Sequence, residues 1–255
     1  MPATRFADVR RFDELDSTNR YLLDEARRGA LDGVVVVADH QSAGRGRLGR
    51  RWEAPPGACL LASVLLRPRL PLSERYLTTA CVALAAVEAT AEVGGVALGV
   101  KWPNDLLAPD GRKVAGVLAE AEGDAVVVGI GVNVAWPTDD ADLAAPALAD
   151  LAGRATSLAA LAGQVVSRGD LLDGLLAALE PRAAALDEAA GRRRLAAELR
   201  SACTTLGARV RVDLADGPIW GTAVDLTADG RLVVETATGR QVVAAGDVTH
   251  LRTTG

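Results

Sequence analysis

Eight consecutive residues, Gly44-Arg45-Gly46-Arg47-Leu48-Gly49-Arg50-Arg51, hold four arginines and three glycines, and no acid falls between His40 and Trp52. Glycine lets a backbone reach positive φ and approach a ligand closely. Arginine forks and exposed N–H groups suit phosphate and carboxylate oxygens. The chemistry expected of such a loop is anion binding, although a solvated basic loop shares its composition. The GxxxxGK pattern of a P-loop is absent. A second signal is scarcity. Of 28 basic side chains only Lys101 and Lys113 are lysines, and asparagine occurs only at Asn19, Asn104 and Asn133. The compact ammonium and the planar guanidinium are not interchangeable, so these lysine positions are candidates for a role that arginine cannot fill.

Other chemistries are poorly supported. Cys59, Cys81 and Cys203 are far apart and form no CxxC pair, which speaks against a zinc site or a disulfide framework and fits a reducing compartment. His40 and His250 stand alone, without a nucleophile partner or metal-ligand spacing. The net charge of −5 supplies no global basic field for nucleic acid. The N-terminus lacks the apolar segment of a signal peptide, and no uninterrupted apolar run approaches the roughly 20 residues that span a bilayer. The expectation is a cytoplasmic protein with no nucleic-acid or membrane partner. A length of 255 residues allows one sizeable core and a small satellite domain.

The elements that must carry these residues follow from periodicity. Residues 11–16 read as a strand ending at Ser17-Thr18-Asn19, which caps a helix bearing Leu22, Leu23 and Ala26 at helical spacing. The β-branched run 33–38 predicts a buried strand before the arginine loop, and 58–66 another after it. Residues 73–93 predict a core helix capped by Ser73. Strands are expected at 96–102, 105–108, 113–122 and 125–134, the last two as an antiparallel hairpin. Residues 156–203 read as helical, with Pro181 and Gly191 as breaks. Beyond Cys203, short strands at 208–214, 219–225, 231–236 and 240–244 predict a small SH3-like β-barrel.

In this order the motifs resemble those of biotin protein ligases. The run from Gln41 to Arg50 matches the GRGRxGR signature of that family. Ser17-Thr18-Asn19 precedes it, and Lys101-Trp102-Pro103-Asn104-Asp105, Lys113-Val114-Ala115-Gly116-Val117-Leu118 and Gly129-Ile130-Gly131-Val132-Asn133-Val134 follow. Both lysines and all three asparagines fall inside these motifs. The resemblance implies a mixed, largely antiparallel α/β sheet flanked by helices, the class II synthetase-like catalytic fold of biotin and lipoate ligases. It places the catalytic domain at 1–203 and the SH3-like barrel at 204–255.

The same resemblance implies an ATP-dependent reaction in two steps. Biotin and ATP, with Mg²⁺, give biotinyl-5′-AMP and pyrophosphate; a lysine of a biotin carboxyl carrier protein, an acyl-CoA carboxylase subunit, then takes the biotinyl group. Positioned cations offset the repulsion between carboxylate and polyphosphate. By family analogy Lys113, Asp105 and Arg47 carry the catalysis. Ser17, Thr18, Asn19, Gln41, Arg45, Gly46, Arg47, Lys113 and Gly116 meet biotin. Arg45, Arg47, Arg50, Trp52, Lys101, Asn104 and Asn133 meet the nucleotide. Asp105 orients or deprotonates the incoming amine, or is simply a turn residue. Lys101 contacts phosphate or pairs with Asp105. About ten residues precede the first strand, so no N-terminal DNA-binding domain and no repressor role are expected. The alternative within the fold is a lipoate or octanoate ligase or transferase. The choice between a monomer and a weak dimer stays open.

Overall fold

The computed structural model describes residues 4–143, 151–214, 216–244 and 246–251. Seven strands form the larger sheet: β1 (Val9–Leu15), β2 (Val35–Gln41), β3 (Cys59–Leu66), β4 (Gly99–Lys101), β5 (Asp105–Leu107), β6 (Lys113–Glu122) and β7 (Ala125–Asn133). Their order is β1-β2-β3-β7-β6-β5-β4. Only the β1–β2 pair is parallel, and all the others are antiparallel. The mixed, largely antiparallel sheet is therefore as expected.

Strand alternation gives the sheet two unlike faces. On the back, Val35, Val37, Leu60, Ala62, Val64, Val126, Val128 and Ile130 join the main core. They lie beneath helix α2 (Tyr76–Gly94), which packs on α4 (Arg168–Ala185) and α5 (Ala189–Ala202). The helical segment 72–94 has the length and hydropathy of a membrane span, but it is a core helix with 72% of its most apolar window buried. On the front, the short helix α1 (Thr18–Arg27) sets Leu22, Leu23 and Ala26 against Val34, Val36, Leu65, Ala125 and Val127. It covers only part of that face, and the uncovered part carries the site.

Three details of the helices differ from expectation. Ser73 does not cap α2; residues 72–74 form a separate 3₁₀ turn, and α2 begins after Arg75 without a side-chain cap. Pro181 lies inside α4 and does not end it. Gly191 sits within α5, where any Cβ would come 2.2 Å from the Ala185 carbonyl oxygen; the helical stretch is broken instead at residues 163–167 and 186–188. Residues 158–162 form the short helix α3.

The second sheet contains β8 (Arg209–Asp213), β9 (Ile219–Leu226), β10 (Leu232–Thr236), β11 (Gly239–Val243) and β12 (Asp247–His250). It runs β11-β10-β9-β8-β12, antiparallel throughout. Four strands meander, and the fifth returns to pair with the first, the SH3-like order. That fifth strand was not anticipated. It contributes Asp247 to the site region.

Candidate active site

One cross-strand row organises the front face. Lys101 on β4 stands opposite Asp105 on β5, Asp105 opposite Gly116 on β6, Gly116 opposite Gly131 on β7, and Gly131 opposite Leu61 on β3. The two central glycines leave a flat floor on which the Trp52 ring lies. A Cβ on Gly131 would come 2.6 Å from Trp52 Cε2, and one on Gly116 would come 3.2 Å from Trp52 Cζ3 and 3.1 Å from Lys113 Nζ. Above this floor Lys113 Nζ is 2.6 Å from Asp105 Oδ1 and 5.6 Å from the Trp52 ring centroid.

The N-terminus of α1 forms the polar wall. Ser17, Thr18 and Asn19 are almost fully buried. Gln41 Oε1 accepts from Thr18 N at 2.8 Å and Thr18 Oγ1 at 3.0 Å. This fixes the amide with its nitrogen free of any protein acceptor among the described residues. Ser63 Oγ, fully buried on β3, lies 2.7 Å from both Thr18 Oγ1 and Asn19 Oδ1. Asn19 Nδ2 donates to Leu118 O (3.1 Å) and to Glu120 Oε2 (2.9 Å). Both amide hydrogens of Asn19 are thus committed within the protein, so it braces the wall. Ser17, Gln41, Trp52, Gly116 and Gly131 line a narrow inner cavity.

The arginine loop folds as a miniature hairpin beside this cavity. Gly46 N donates to Arg50 O at 2.7 Å, and Arg45 and Arg51 form an antiparallel bridge. Leu48 sits at the tip with φ of 55° and is 72% exposed. Gly44 is required where the loop closes, because a Cβ would meet Trp52 O at 2.4 Å. Gly46, Arg47 and Leu48, with Tyr76, Pro103 and Asn104, line an adjoining, roomier outer cavity.

The cations of the site fall into two groups. Lys113 pairs with Asp105, Arg45 with Glu120 at 3.0 Å, and Arg50 with Asp247 of the second sheet. Arg47 and Lys101 have no carboxylate within ion-pair distance among the described residues. Arg47 donates to Asn104 Oδ1 and to Gly246 O, both at 3.2 Å. Burial is the main cause that lowers the pKa of each of these two below its ordinary value, against the fields of Asp105 and Asp247. Such desolvated, uncompensated cations are poised for an anion.

Some expected site residues take supporting positions. Asn104 holds the β6 edge, its Nδ2 donating to Val117 O at 2.8 Å. Asn133 is buried and donates to Thr156 O at 3.0 Å, away from both cavities. Arg50 turns outward to Asp247. Trp102 is core: it is 1% exposed, and its Nε1 donates to Gly230 O at 2.9 Å. Sequence reasoning gave no site role to Ser63, Glu120, Gly129 or Asp247. Ser63 was the one polar residue in an otherwise apolar strand, and that was its only signal.

A polar pocket beside cations without carboxylate partners, on the open face of this sheet, is the layout of an enzyme site for an anionic ligand that also carries polar groups. The chain matches the Biotin/lipoate A/B protein ligase family over residues 12–134 and the biotin protein ligase C-terminal domain over 205–251. It is 39% identical to the biotin–[acetyl-CoA-carboxylase] ligase of Mycobacterium tuberculosis, over 92% of this chain and 86% of that protein. It is 31% identical to the bifunctional ligase/repressor BirA of Bacillus subtilis, over 92% of this chain and 72% of that one. Among solved structures, biotin protein ligase from Aquifex aeolicus in complex with biotin and ATP superposes with a TM-score of 0.79 at 28% identity, covering 97% of this chain and 100% of that one. The chain belongs to the biotin protein ligase family.

Proposed function

We propose that this cytoplasmic enzyme joins biotin to ATP, releasing pyrophosphate, and then transfers the biotinyl group from biotinyl-5′-AMP to a lysine of a biotin carboxyl carrier protein. The observation that carries the reading is the Lys113–Asp105 pair beside Gly116, a residue that lines the inner cavity together with Ser17, Thr18 and Gln41. Hydroxyl and amide groups suit the carbonyl and two N–H groups of a ureido ring. The two glycines let the Trp52 ring lie flat on the sheet, where it offers an apolar surface to a fused bicycle. The acid's chain would then run toward Lys113.

Within this reading, Lys113 stabilises the charge that builds as a carboxylate oxygen attacks the α-phosphorus and pyrophosphate leaves. Arg47 and Lys101 receive the phosphates, with Asn104 fixing the Arg47 fork. The loop, through Arg45 and Gly46, covers the mixed anhydride and excludes water. Asp105 orients the incoming lysine amine and takes its proton as the acyl bond forms and AMP departs. Mg²⁺ is read as arriving with the triphosphate. No three His, Cys, Asp or Glu side chains gather into a metal site among the described residues, and Mg²⁺ is commonly held by substrate phosphates plus one or two carboxylates. Residues 1–203 carry this chemistry, and 204–255 back the loop.

Incubating the protein with ATP, Mg²⁺ and either biotin or lipoate tests the proposal. Pyrophosphate release with biotin, followed by carrier labelling, is expected; release with lipoate alone would move the chain to the lipoate side of its family.

A further inference from the structure

Glu120 lies just beyond the motif that begins at Lys113, near the end of β6. Alternation along that strand brings its side chain out on the face of Gly116 and Leu118. The carboxylate is bound at both oxygens. Oε2 accepts from Asn19 Nδ2 at 2.9 Å, and Oε1 lies 3.0 Å from Arg45 Nη1. Asn19 is itself held by Ser63 and by the Leu118 carbonyl, and Gly129 provides its room: a Cβ there would come 2.2 Å from Asn19 Oδ1. Glu120 therefore joins the hydrogen-bonded Asn19–Ser63 corner of the inner cavity to the arginine loop.

The place of that joint gives it meaning. Arg45 lines both the inner and the outer cavity, and Glu120 lines the outer one. The pair stands where the two spaces meet. A guanidinium has five N–H donors, and its shortest contact with Glu120 is made through Nη1. Arg45 is 45% exposed, so without its partner it would sample solvent rotamers, and the cost of ordering it would fall on substrate binding.

Building on the biotin-activating function above, we propose that Glu120 is a positioning residue. It holds Arg45 across the junction of the two cavities, already oriented for the meeting of acid and nucleotide. It acts through Arg45.

The test is a double-mutant cycle read by pyrophosphate release at saturating ATP. Glu120→Gln keeps the shape and an acceptor for Asn19 but removes the charge that holds Arg45. It is expected to raise KM for biotin about tenfold, to change kcat less than about threefold, and to leave the thermal midpoint in place. In an Arg45→Ala background the same substitution is expected to add nothing, because its effect passes through Arg45. Glu120→Asp should recover part of the loss. An unchanged KM in Glu120→Gln, or an undiminished effect in the Arg45→Ala background, overturns the proposal. No biotin-dependent pyrophosphate release by the unsubstituted protein would instead overturn the function on which the proposal rests.

Discussion

The Lys113 ammonium rests 2.6 Å from the Asp105 carboxylate, with Gly116 beneath it and the Trp52 ring beside it. The two residues sit on neighbouring strands, and the pairing joins the group proposed for adenylation to the one proposed for transfer. Their loss should separate the two steps. Lys113→Ala is expected to lower biotin-dependent pyrophosphate release about 10²- to 10³-fold. Asp105→Asn should keep most of that release and slow labelling of the carrier. Single-turnover measurement of both products checks this, and equal loss of both steps in Asp105→Asn would remove the division of labour.

The glycine floor gives a steric prediction. Gly131→Ala forces the Trp52 ring away, since the new methyl would sit 2.6 Å from its carbon. A cost of about 1–3 kcal/mol in stability is expected, as for other overpacked sites, together with altered tryptophan fluorescence and weaker biotin binding. Gly116→Ala should be milder, because its nearest neighbour is the mobile end of Lys113. Denaturant melts and binding titrations of the two variants provide the comparison.

Lys101 carries a charge that burial disfavours, and no ion-pair partner relieves it among the described residues. Lys101→Met should raise the stability of the ligand-free protein by about 1 kcal/mol, as removal of buried unpaired charge often does. The same change should raise KM for ATP at least about tenfold. Thermal melts with and without nucleotide would reveal the crossover; a variant that melts lower in both conditions would show that the ammonium has a structural partner.

His250 supplies the pH dependence. Its Nε2 lies 3.1 Å from Thr205 Oγ1, and burial, aided by the field of Lys101, holds its pKa below the ordinary 6.5. The folded state thus favours the neutral ring, and the unfolded chain binds the proton more readily. Stability is therefore lost as pH falls through about 6.5 and levels off below the folded pKa. Unfolding free energy measured between about pH 7.5 and pH 5 should decline more steeply in the wild type than in His250→Gln. Parallel curves would exclude His250 as the source.

What could be read from the sequence was what residue type alone announces. Lys101, Lys113 and the arginine loop were visible because scarce or clustered side chains stand out against an Ala- and Arg-rich background, whereas Ser17, Thr18, Asn19 and Gln41 read by type alone as a helix cap and its surroundings and gained a site role only from the family resemblance. The sheet strands were visible through their β-branched runs. The partners of those residues were not. Ser63 meets Asn19 across 44 positions, Glu120 meets Asn19 across 101, and Asp247 meets Arg50 across 197. Pairing at such range is set by sheet register, which local pattern does not encode. Pro181 misled for a related reason: packing of α4 on α2 and α5 overrides the local penalty.

The row from Lys101 to Leu61 also works as a ruler. It crosses five adjacent strands, and at roughly 4.8 Å per strand it measures about 19 Å. Its graduations are backbone hydrogen bonds, so its length cannot drift with loop motion. On the function proposed above, the ladder therefore keeps the wall that receives the acid and the cation that receives phosphate at a fixed spacing.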